Sequence, residues 1–441
     1  MQQMADFVAK PGFRKAAANL GWLFAERAGR LVLGTLVGLM VARQLGPERL
    51  GSLSYAVALV TLLGFVPTLG LDAILKRELL KAPERSAEVL ASGFVLRTLA
   101  GAAGCAAVGV AAWAGIGLHG DEPRLLAILA VVLLQPALFL PELWLQTHLR
   151  AKAASMVQLG ALAVASAVRL RLIATHASLT AFAWVIGAEM GLGAVGFFWV
   201  ARRAGLRMPL TAARAAAMRR LLAESWPLMF ASLAIAVYMK IDEVMLRQLA
   251  GPAAVGVYAA AAKLSEVWYF MPVALASSVL PALLRAQQKS TEEYARRQQQ
   301  YYDLSAAVAY GLSVPIALAA PWVVRVAYGA EFAAAGPILA VHIWSSIFVF
   351  LGVARGQWLV NEGLQKFYLA ATFAGAVANV GLNFIFIPRW EGLGAAWATV
   401  ISYGLAAWLA SYFHPGVRET AAMQTRALLI PWRGWRYLRR P

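Results

Sequence analysis

The chain of 441 residues is 61% hydrophobic and only 14% charged, with a mean hydropathy of +0.64. A soluble globular domain of this length would not normally be so apolar, so the composition predicts an integral membrane protein. The single cysteine, Cys105, excludes an intrachain disulfide and a thiolate metal cluster.

Apolar stretches of roughly 20 residues, long enough to cross about 30 Å of hydrocarbon as a helix, follow one another along the chain. Twelve such stretches begin near residues 18, 50, 90, 125, 153, 179, 221, 254, 301, 333, 367 and 393. The pattern predicts an all-α integral membrane protein with about twelve transmembrane helices. The connections between them are too short for a soluble domain.

Positive charge is in excess: 40 Lys and Arg residues face 22 Asp and Glu, a formal net charge of +18. When the spans are assigned alternately to two sides, most positive residues in the connections fall on the side that holds both termini. The positive-inside rule places that side in the cytoplasm. Topology and contact with anionic lipid therefore explain the charge, and nucleic-acid binding is not expected.

The first span contains Glu26, Arg27 and Arg30. Ionisable side chains inside a span are functional candidates because hydrocarbon penalises them. Glu26 precedes Arg30 by four residues and shares its helical face. Two interpretations stay open: a structural pair or snorkelling residues near the interface, and an arginine that faces a cavity.

The segment RQLGPERLG at residues 43–51, after the first span, has a near copy in RQLAGPAAVG at 247–256, after the seventh. Gly-Pro ends a helix, so each copy is interpreted as a tight turn without a ligand. Six spans precede the basic segment ARRAGLRMPLTAARAAAMRR and six follow it, which predicts a parallel repeat of two six-helix lobes. The predicted divisions are an N-terminal lobe at 1–203, a basic cytoplasmic linker at 204–220, a C-terminal lobe at 221–414 and a basic cytoplasmic tail at 415–441.

The second and third spans add further charges. Asp72 and Lys76, four residues apart, are interpreted as a pair at the end of a helix. Arg97 has no acidic residue at helical spacing further along its own span. An unpaired arginine at this depth is expected to face water, a ligand or another helix.

The seventh span carries MKIDEVMLR, which places Lys240 and Glu243 one turn apart. Asp242 points elsewhere, so it either bridges to another helix or binds a coupling cation. In the eighth span, Lys263 and Glu266 are again one turn apart and form a second candidate pair.

Aromatic residues in this chain fall mostly near span ends, where interfacial belts form. Trp268 and Tyr269 lie inside the eighth span and are candidates for stacking on a sugar face. Arg355, in LGVARGQWLVNEG, is flanked by Gly352 and Gly356, which let a helix or a ligand come close. The residues predicted to form a positive cavity for pyrophosphate or acidic sugars are Arg30, Arg97, Lys240 and Arg355, with Arg27 and Lys263 as further candidates.

Several fragments resemble one family. They are VARQLGPERLGSLSYAVAL followed by LGLDAILKREL, then YMKIDEVMLRQLAGPAAVGVYAAAAKLSEVWYFMPVALASSVLPAL, AYGAEFAAAGPIL and NFIFIPRWEGLGAAWATVISY. In order and spacing, these fragments are similar to the polysaccharide and O-antigen flippases of the multidrug/oligosaccharidyl-lipid/polysaccharide exporter superfamily. One departure is the pair Trp390 and Glu391, where the family more often has an aromatic residue directly before Gly.

The resemblance implies a bacterial inner-membrane transporter with two six-helix lobes around a central cavity. Such proteins move polyprenyl-pyrophosphate-linked oligosaccharide of the O-antigen or exopolysaccharide type from the cytoplasmic to the periplasmic leaflet by alternating access. The implied partners are that glycolipid, membrane lipids, and polysaccharide polymerase and chain-length machinery.

Three competing functions fit the sequence less well. A cation-coupled drug exporter of the same superfamily would favour an acidic cavity, whereas the deep charges noted here are largely positive. A polysaccharide polymerase or ligase would need a larger periplasmic loop. A purely structural protein would not need unpaired arginine in mid-span. The chain lacks G-x-x-x-x-G-K-[ST] and its five His form no ligand spacing, so neither enzyme activity, a cofactor nor a metal is expected.

Overall fold

The computed structural model describes residues 11–114 and 118–437; residues 1–10, 115–117 and 438–441, which include the predicted cytoplasmic ends, lie outside the described residues. The described chain is helical almost throughout and contains no strand. Its α-helices, in chain order, are α1 (Pro11–Leu63), α2 (Phe65–Thr68), α3 (Leu71–Lys81), α4 (Ser86–Trp113), α5 (Glu122–Leu129), α6 (Gln135–Leu138), α7 (Leu140–Thr147), α8 (Ala151–Ala174), α9 (Leu179–Arg203), α10 (Ala215–Leu249), α11 (Pro252–Glu266), α12 (Phe270–Gln287), α13 (Thr291–Tyr328), α14 (Ala335–His342), α15 (Ser345–Asn361), α16 (Gln365–Ala407), α17 (Arg418–Leu428) and α18 (Ile430–Tyr437).

Ten helical segments of the described chain are long and apolar enough to cross a membrane. Two of these can cross twice, because Ala25–Lys81 has 57 residues and Gln365–Phe413 has 49, against about 20 for one crossing. Among their interruptions by non-helical backbone, the one between the two crossings lies at Gly46 in the first segment and at Glu391 in the second. Counting the two arms of each separately gives twelve spans, which confirms the predicted all-α, multi-pass architecture.

Both Gly-Pro motifs act on the backbone as predicted. Gly46 and Gly251 have φ of 70° and 89°, a region that glycine enters without steric penalty. A proline follows each of them, and Pro252 is the first residue of α11. In α16, Glu391 adopts φ 47° without being glycine, which costs of order 1–3 kcal/mol. The departure at Trp390 and Glu391 therefore coincides with a bend between two spans.

The chain divides into two compact units. Unit 1 comprises Met1–Leu45 with Ala56–Ala236, of which residues 1–10 and 115–117 are outside the described part. Unit 2 comprises Gly46–Tyr55 with Val237–Pro441, described as far as residue 437. The lobe limits inferred from the sequence stay a prediction.

Two segments taken as linker and tail are folded onto these units. In the linker, Leu206 is buried in the unit 1 core and the Arg214 amide donates to Ser92 Oγ over 3.2 Å. In the tail, α17 packs against α13, where Tyr310 Oη donates to the Leu428 carbonyl over 3.0 Å. Both segments are thus integral to their unit.

Each unit has its own apolar core. In unit 1, Leu75, Leu90 and Phe197 from α3, α4 and α9 meet in one buried cluster. In unit 2, Tyr302 and Phe350 from α13 and α15 anchor another. Large apolar side chains are also exposed on the outside, among them Trp113, Val195 and Leu318. A bilayer, as an apolar solvent, explains this outward hydrophobicity.

The two copies of the repeated motif meet inside unit 2. A Cβ added at Gly51 would lie 1.7 Å from the Pro252 carbonyl oxygen, and one added at Gly256 would lie 1.8 Å from the Pro47 carbonyl oxygen. The contact is reciprocal, backbone against backbone. The motif is repeated because each copy supplies the glycine against which the other packs.

We expect Gly51→Ala and Gly256→Ala each to destabilise the protein by about 1–3 kcal/mol, because the new methyl group overlaps a carbonyl that no side-chain rotation can move. Thermal unfolding in detergent measures this as a lower apparent Tm. Gly38→Ala is the matched control, since nothing lies within 4 Å of a Cβ there. An equal effect of all three substitutions would contradict the close contact.

Candidate functional site

Unit 1 contains a cavity of about 300 Å³, called cavity A, between α1, α8, α9 and the broken helix α5–α7. Its polar lining comes from five side chains, and Phe139 and Phe197 supply aromatic rings. The polar residues are Arg30, Gln135, Glu142, Gln158 and Glu189. A polar cavity in a span is costly unless its groups bind one another, water or a ligand.

Arg30 lies at the centre of a network in cavity A. Its Nε donates to Glu26 Oε1 over 3.1 Å, its Nη2 donates to Gln158 Oε1, and its Nη1 is 3.9 Å from Glu189 Oε1. Glu189 also accepts from Arg169 over 2.8 Å. The Arg30 side chain remains 43% exposed. Both interpretations of Arg30 apply, because it pairs with Glu26 and also lines a cavity. Arg27, by contrast, is exposed.

A second cavity of about 330 Å³, called cavity B, adjoins the same wall of unit 1. Gln135, Phe139 and Glu142 line both cavities. Arg97 and Lys76 also reach cavity B. The two cavities therefore share one wall, which Gln135, Phe139 and Glu142 of the broken helix form.

Arg97 is only 2% exposed, and both of its terminal guanidinium nitrogens donate to other helical segments, whereas its buried Nε has no hydrogen-bond partner among the described residues. Its Nη2 donates to Asp72 Oδ1 over 2.7 Å and to the Thr68 carbonyl over 3.3 Å, and its Nη1 donates to the Pro136 carbonyl over 3.0 Å. Thr68 and Pro136 belong to the one-turn helices α2 and α6, whose carbonyls lack continuing helical donors. Arg97 thus faces another helix.

This geometry corrects two sequence interpretations. Arg97 is paired, and Asp72 bonds to Arg97 rather than forming the helix-end pair with Lys76. Helical spacing identifies only partners on the same helix, and the two residues are 25 positions apart. The pairing arises from the packing of α3 on α4.

The linings of cavities A and B are balanced in charge. Three cations, Arg30, Lys76 and Arg97, accompany three carboxylates. The carboxylates are Asp72, Glu142 and Glu189. The sequence interpretation selected the Lys and Arg residues inside the spans and missed Glu142 and Glu189. Both glutamates could have been found in the same way, since each is an ionisable residue inside a long apolar stretch.

Unit 2 holds a buried polar centre at Asp242, which is 4% exposed. Its Oδ2 accepts from Tyr258 Oη and Thr399 Oγ1, and its Oδ1 accepts from Asn383 Nδ2, each over 2.6 Å. Asn383 also donates to Asn379 Oδ1 over 3.2 Å. Asp242 therefore meets neutral hydroxyl and amide groups from α11 and both arms of α16.

The other charges of this region are paired locally or exposed. Lys240 Nζ lies 2.7 Å from Glu243 Oε1, the one-turn spacing noted in the sequence. Lys263 is exposed, and Glu266 is half-buried on the same helix. Lys240 and Glu243 therefore pair with each other, and neither takes part in the hydrogen bonds that Asp242 accepts.

The aromatic candidates lie at a break in the eighth span. Trp268 and Tyr269 are both half-buried in the 3₁₀ turn Val267–Tyr269, between α11 and α12. The Tyr269 hydroxyl is 2.8 Å from Ser345 Oγ of α15. That hydrogen bond fixes the ring against a neighbouring helix.

Arg355 is buried in unit 2, where it is 2% exposed. Its Nη1 donates to Ser411 Oγ over 2.8 Å, and its guanidinium lies 5.9 Å from the centre of the Phe367 ring. Among the described residues, no carboxylate forms an ion pair with it. The flanking Gly352 lets α15 approach α16, since a Cβ there would lie 3.2 Å from Ala407.

The fold and the cavities together define a class: a multi-pass helical membrane protein with polar cavities among its spans, as transporters have. A model of the family described as polysaccharide biosynthesis protein matches residues 16–287, more than half of the chain. The chain belongs to this family. Comparison with curated protein sequences gave no significant match.

Solved structures share the fold. The lipid II flippase MurJ in its inward closed conformation has a TM-score of 0.71 at 13% identity, covering 94% of this chain and 92% of that chain. An inward-facing multidrug resistance MATE family transporter of the MOP superfamily has a TM-score of 0.67 at 16% identity, covering 90% and 95%. A MOP superfamily transporter from Pyrococcus furiosus, described by a reverse polarity of its binding pocket, gives 0.61 at 15% identity, covering 94% and 96%. At these identities the likeness establishes the transporter fold alone.

Removing Asp72 tests the pairing of Arg97. We expect Asp72→Ala to destabilise the protein by about 1–3 kcal/mol, because it leaves a buried guanidinium without its charged acceptor. Lys76→Ala is the control and should leave stability within about 0.5 kcal/mol, as for other exposed positions. The apparent Tm in detergent measures both, and an equal loss in Lys76→Ala would support the helix-end pair instead.

Proposed function

We propose that the protein is a flippase for polyprenyl-pyrophosphate-linked oligosaccharide, working by alternating access in the bacterial inner membrane with both termini in the cytoplasm. The observation that carries the proposal is the pair of polar cavities inside a membrane-embedded lobe of a polysaccharide biosynthesis family member. The cargo is an O-antigen or exopolysaccharide repeat unit. The protein transports it without changing its covalent structure.

The two ends of such a cargo have opposite requirements in the membrane. Sugar hydroxyls and a diphosphate must cross about 30 Å of hydrocarbon, while the polyprenyl chain is stable there. Each polar group that leaves water needs a replacement hydrogen bond. The amides, carboxylates and guanidinium of cavity A supply such bonds, and the apolar exterior suits the lipid chain.

Among the proposed anion-binding residues, Arg30 is the best placed, because it lines a cavity and is partly exposed. Lys240 is half-buried and retains a partner in Glu243. Arg97 and Arg355 are both buried. Arg355, which has no ion pair among the described residues, is proposed to contribute a fixed positive field, and Arg97, which is paired with Asp72, is proposed to line cavity B. Trp268 and Tyr269 remain the proposed sugar-stacking pair, and Arg27 and Lys263 supply exposed charge.

Asp242 is the proposed coupling site. A hard monovalent cation such as sodium takes oxygen ligands, as the hard divalent cations Ca²⁺ and Mg²⁺ do in proteins. The Asp242 carboxylate, Thr399 hydroxyl and Asn379 amide oxygen lie in one hydrogen-bonded network. Asn383 Oδ1 is buried and has no hydrogen-bond partner among the described residues, which adds a further oxygen. A sodium ion bound here would couple transport to the ion gradient.

A cation-coupled exporter of small molecules is the second candidate. The carboxylates of cavities A and B, which the sequence interpretation did not anticipate, are the observation that favours it. Efflux of a cationic dye by reconstituted protein would support this alternative, whereas the flippase proposal expects none.

Deleting the gene should make lipid-linked oligosaccharide accumulate on the cytoplasmic leaflet, since the headgroup cannot cross hydrocarbon unaided. Leaflet-specific labelling of the glycolipid measures this.

Complementation of the deletion strain with Arg30→Ala, Arg97→Ala, Lys240→Ala or Arg355→Ala should restore less transport than Arg124→Ala, which alters an exposed surface pair. Normal periplasmic delivery in the deletion strain would refute the function, and full activity in all four variants would refute the role of these cations.

Sodium should raise the apparent Tm of the purified protein relative to an equal concentration of choline chloride, because a ligand that binds only the folded state stabilises it. Asp242→Asn should abolish this difference, since it removes the charge and keeps the side-chain shape. Asp303→Asn, elsewhere in unit 2, is the control and should retain it. A sodium effect that survives in Asp242→Asn would place the ion elsewhere.

A further inference from the structure

The wall shared by cavities A and B consists of Gln135, Phe139 and Glu142. These residues follow one another at spacings of four and three, so they lie on one face of the broken helix α6–α7. An amide, an aromatic ring and a carboxylate are thus aligned along the boundary between two cavities. These three residues are called the shared wall.

The hydrogen bonds at the wall are unevenly distributed. Gln146 Nε2 and Gln158 Nε2 both donate to the same oxygen, Glu142 Oε1, over 3.0 Å and 2.7 Å. Within the described part of the chain, Glu142 Oε2 and the Gln135 amide make no hydrogen bond. A fixed acceptor and an amide that can both donate and accept are therefore available to a ligand.

The ring between them is held in place. Phe139 packs edge to face on Phe197 at a centroid distance of 5.1 Å. Gly193 makes room for it, because a Cβ there would lie 3.1 Å from the ring. A pyranose presents both hydroxyls and a patch of C–H groups. An aromatic ring flanked by an amide and a carboxylate matches this combination.

Charge decides which sugar fits. Arg30 and Arg97 already have carboxylate partners, and the linings of the two cavities hold as many carboxylates as cations. A carboxylate on the ligand would approach Glu142 and Glu189, and among the described lining residues only Lys76, which lines cavity B and not cavity A, is a cation without an ion pair to offset them. Like charges brought together in a site discriminate against a ligand, and the discrimination is stronger the less water screens them.

We propose that the shared wall is a sugar subsite that accepts a neutral hexose and rejects a uronic acid. The inference rests on the proposed flippase function and names the sugar class that cavity A takes. It departs from the sequence interpretation, which assigned acidic sugars to a positive cavity. Glu142 is the specificity-determining residue, and Gln135 and Phe139 hold the ring.

Two short-chain polyprenyl diphosphates, one carrying glucose and one carrying glucuronic acid, provide the test. Native mass spectrometry of the full chain in nanodiscs compares their binding in an equimolar mixture. The glucose form should bind roughly tenfold tighter, because a like-charge repulsion of about 1.4 kcal/mol lowers the affinity of the glucuronate form by that factor. Glu142→Gln should reduce this preference to less than about twofold while the glucose form still binds, because glutamine keeps the oxygen that accepts from Gln158.

The matched control is Glu88→Gln, which removes a carboxylate of unit 1 that pairs with Arg85 on the exposed surface. It should keep the wild-type preference. Equal or tighter binding of the glucuronate form by the wild type, or an unchanged preference in Glu142→Gln, would overturn the subsite and leave the flippase proposal standing. Binding of neither glycolipid by the wild type would overturn the proposed function itself, and the subsite with it.

Discussion

A charge placed among membrane-spanning helices needs hydrogen-bond partners or an opposite charge inside the protein, because hydrocarbon offers it neither water nor counterions. The rest of the structure depends on how this chain meets that requirement. Arg97 is the clearest case: three acceptors from three different helical segments converge on one guanidinium. Satisfying it positions α2, α3 and α6 around α4, and so forms the edge of cavity B.

Breaks in the helices are what make such balancing possible. The fourth span consists of α5, the 3₁₀ segment Ala130–Leu134, α6 and α7. Each interruption releases backbone carbonyls from the regular ladder, and Pro136 and Pro141 ensure that the interruptions persist. One released carbonyl accepts from Arg97, and the same broken helix presents Gln135 and Glu142 to the cavities. The fold therefore uses helix disruption to place polar groups within the membrane.

Sequence reasoning reached the parts of this structure that depend on local spacing. Hydropathy located the spans, Gly-Pro located the turns, and one-turn spacing located the pairs Arg30 with Glu26 and Lys240 with Glu243. It did not reach contacts made across helices. Asp72 with Arg97, Asp242 with Thr399 and Glu142 with Gln158 link residues 25, 157 and 16 positions apart. No periodicity of one helix encodes them, since the packing of neighbouring helices decides them.

A balanced cavity also suits the task proposed for the protein better than a strongly positive one. A transporter must release its cargo on the far side, so binding has to be favourable enough to replace water and weak enough to reverse. A cluster of unpaired arginines would hold a diphosphate tightly at every stage. With Arg30 shared between Glu26, Gln158 and Glu189, an anionic headgroup has to compete with carboxylates already present. For the proposed cargo, that competition would lower the affinity for the anion, while hydroxyl groups could still exchange hydrogen bonds with the amides, so recognition would rest on the sugar and release would remain possible.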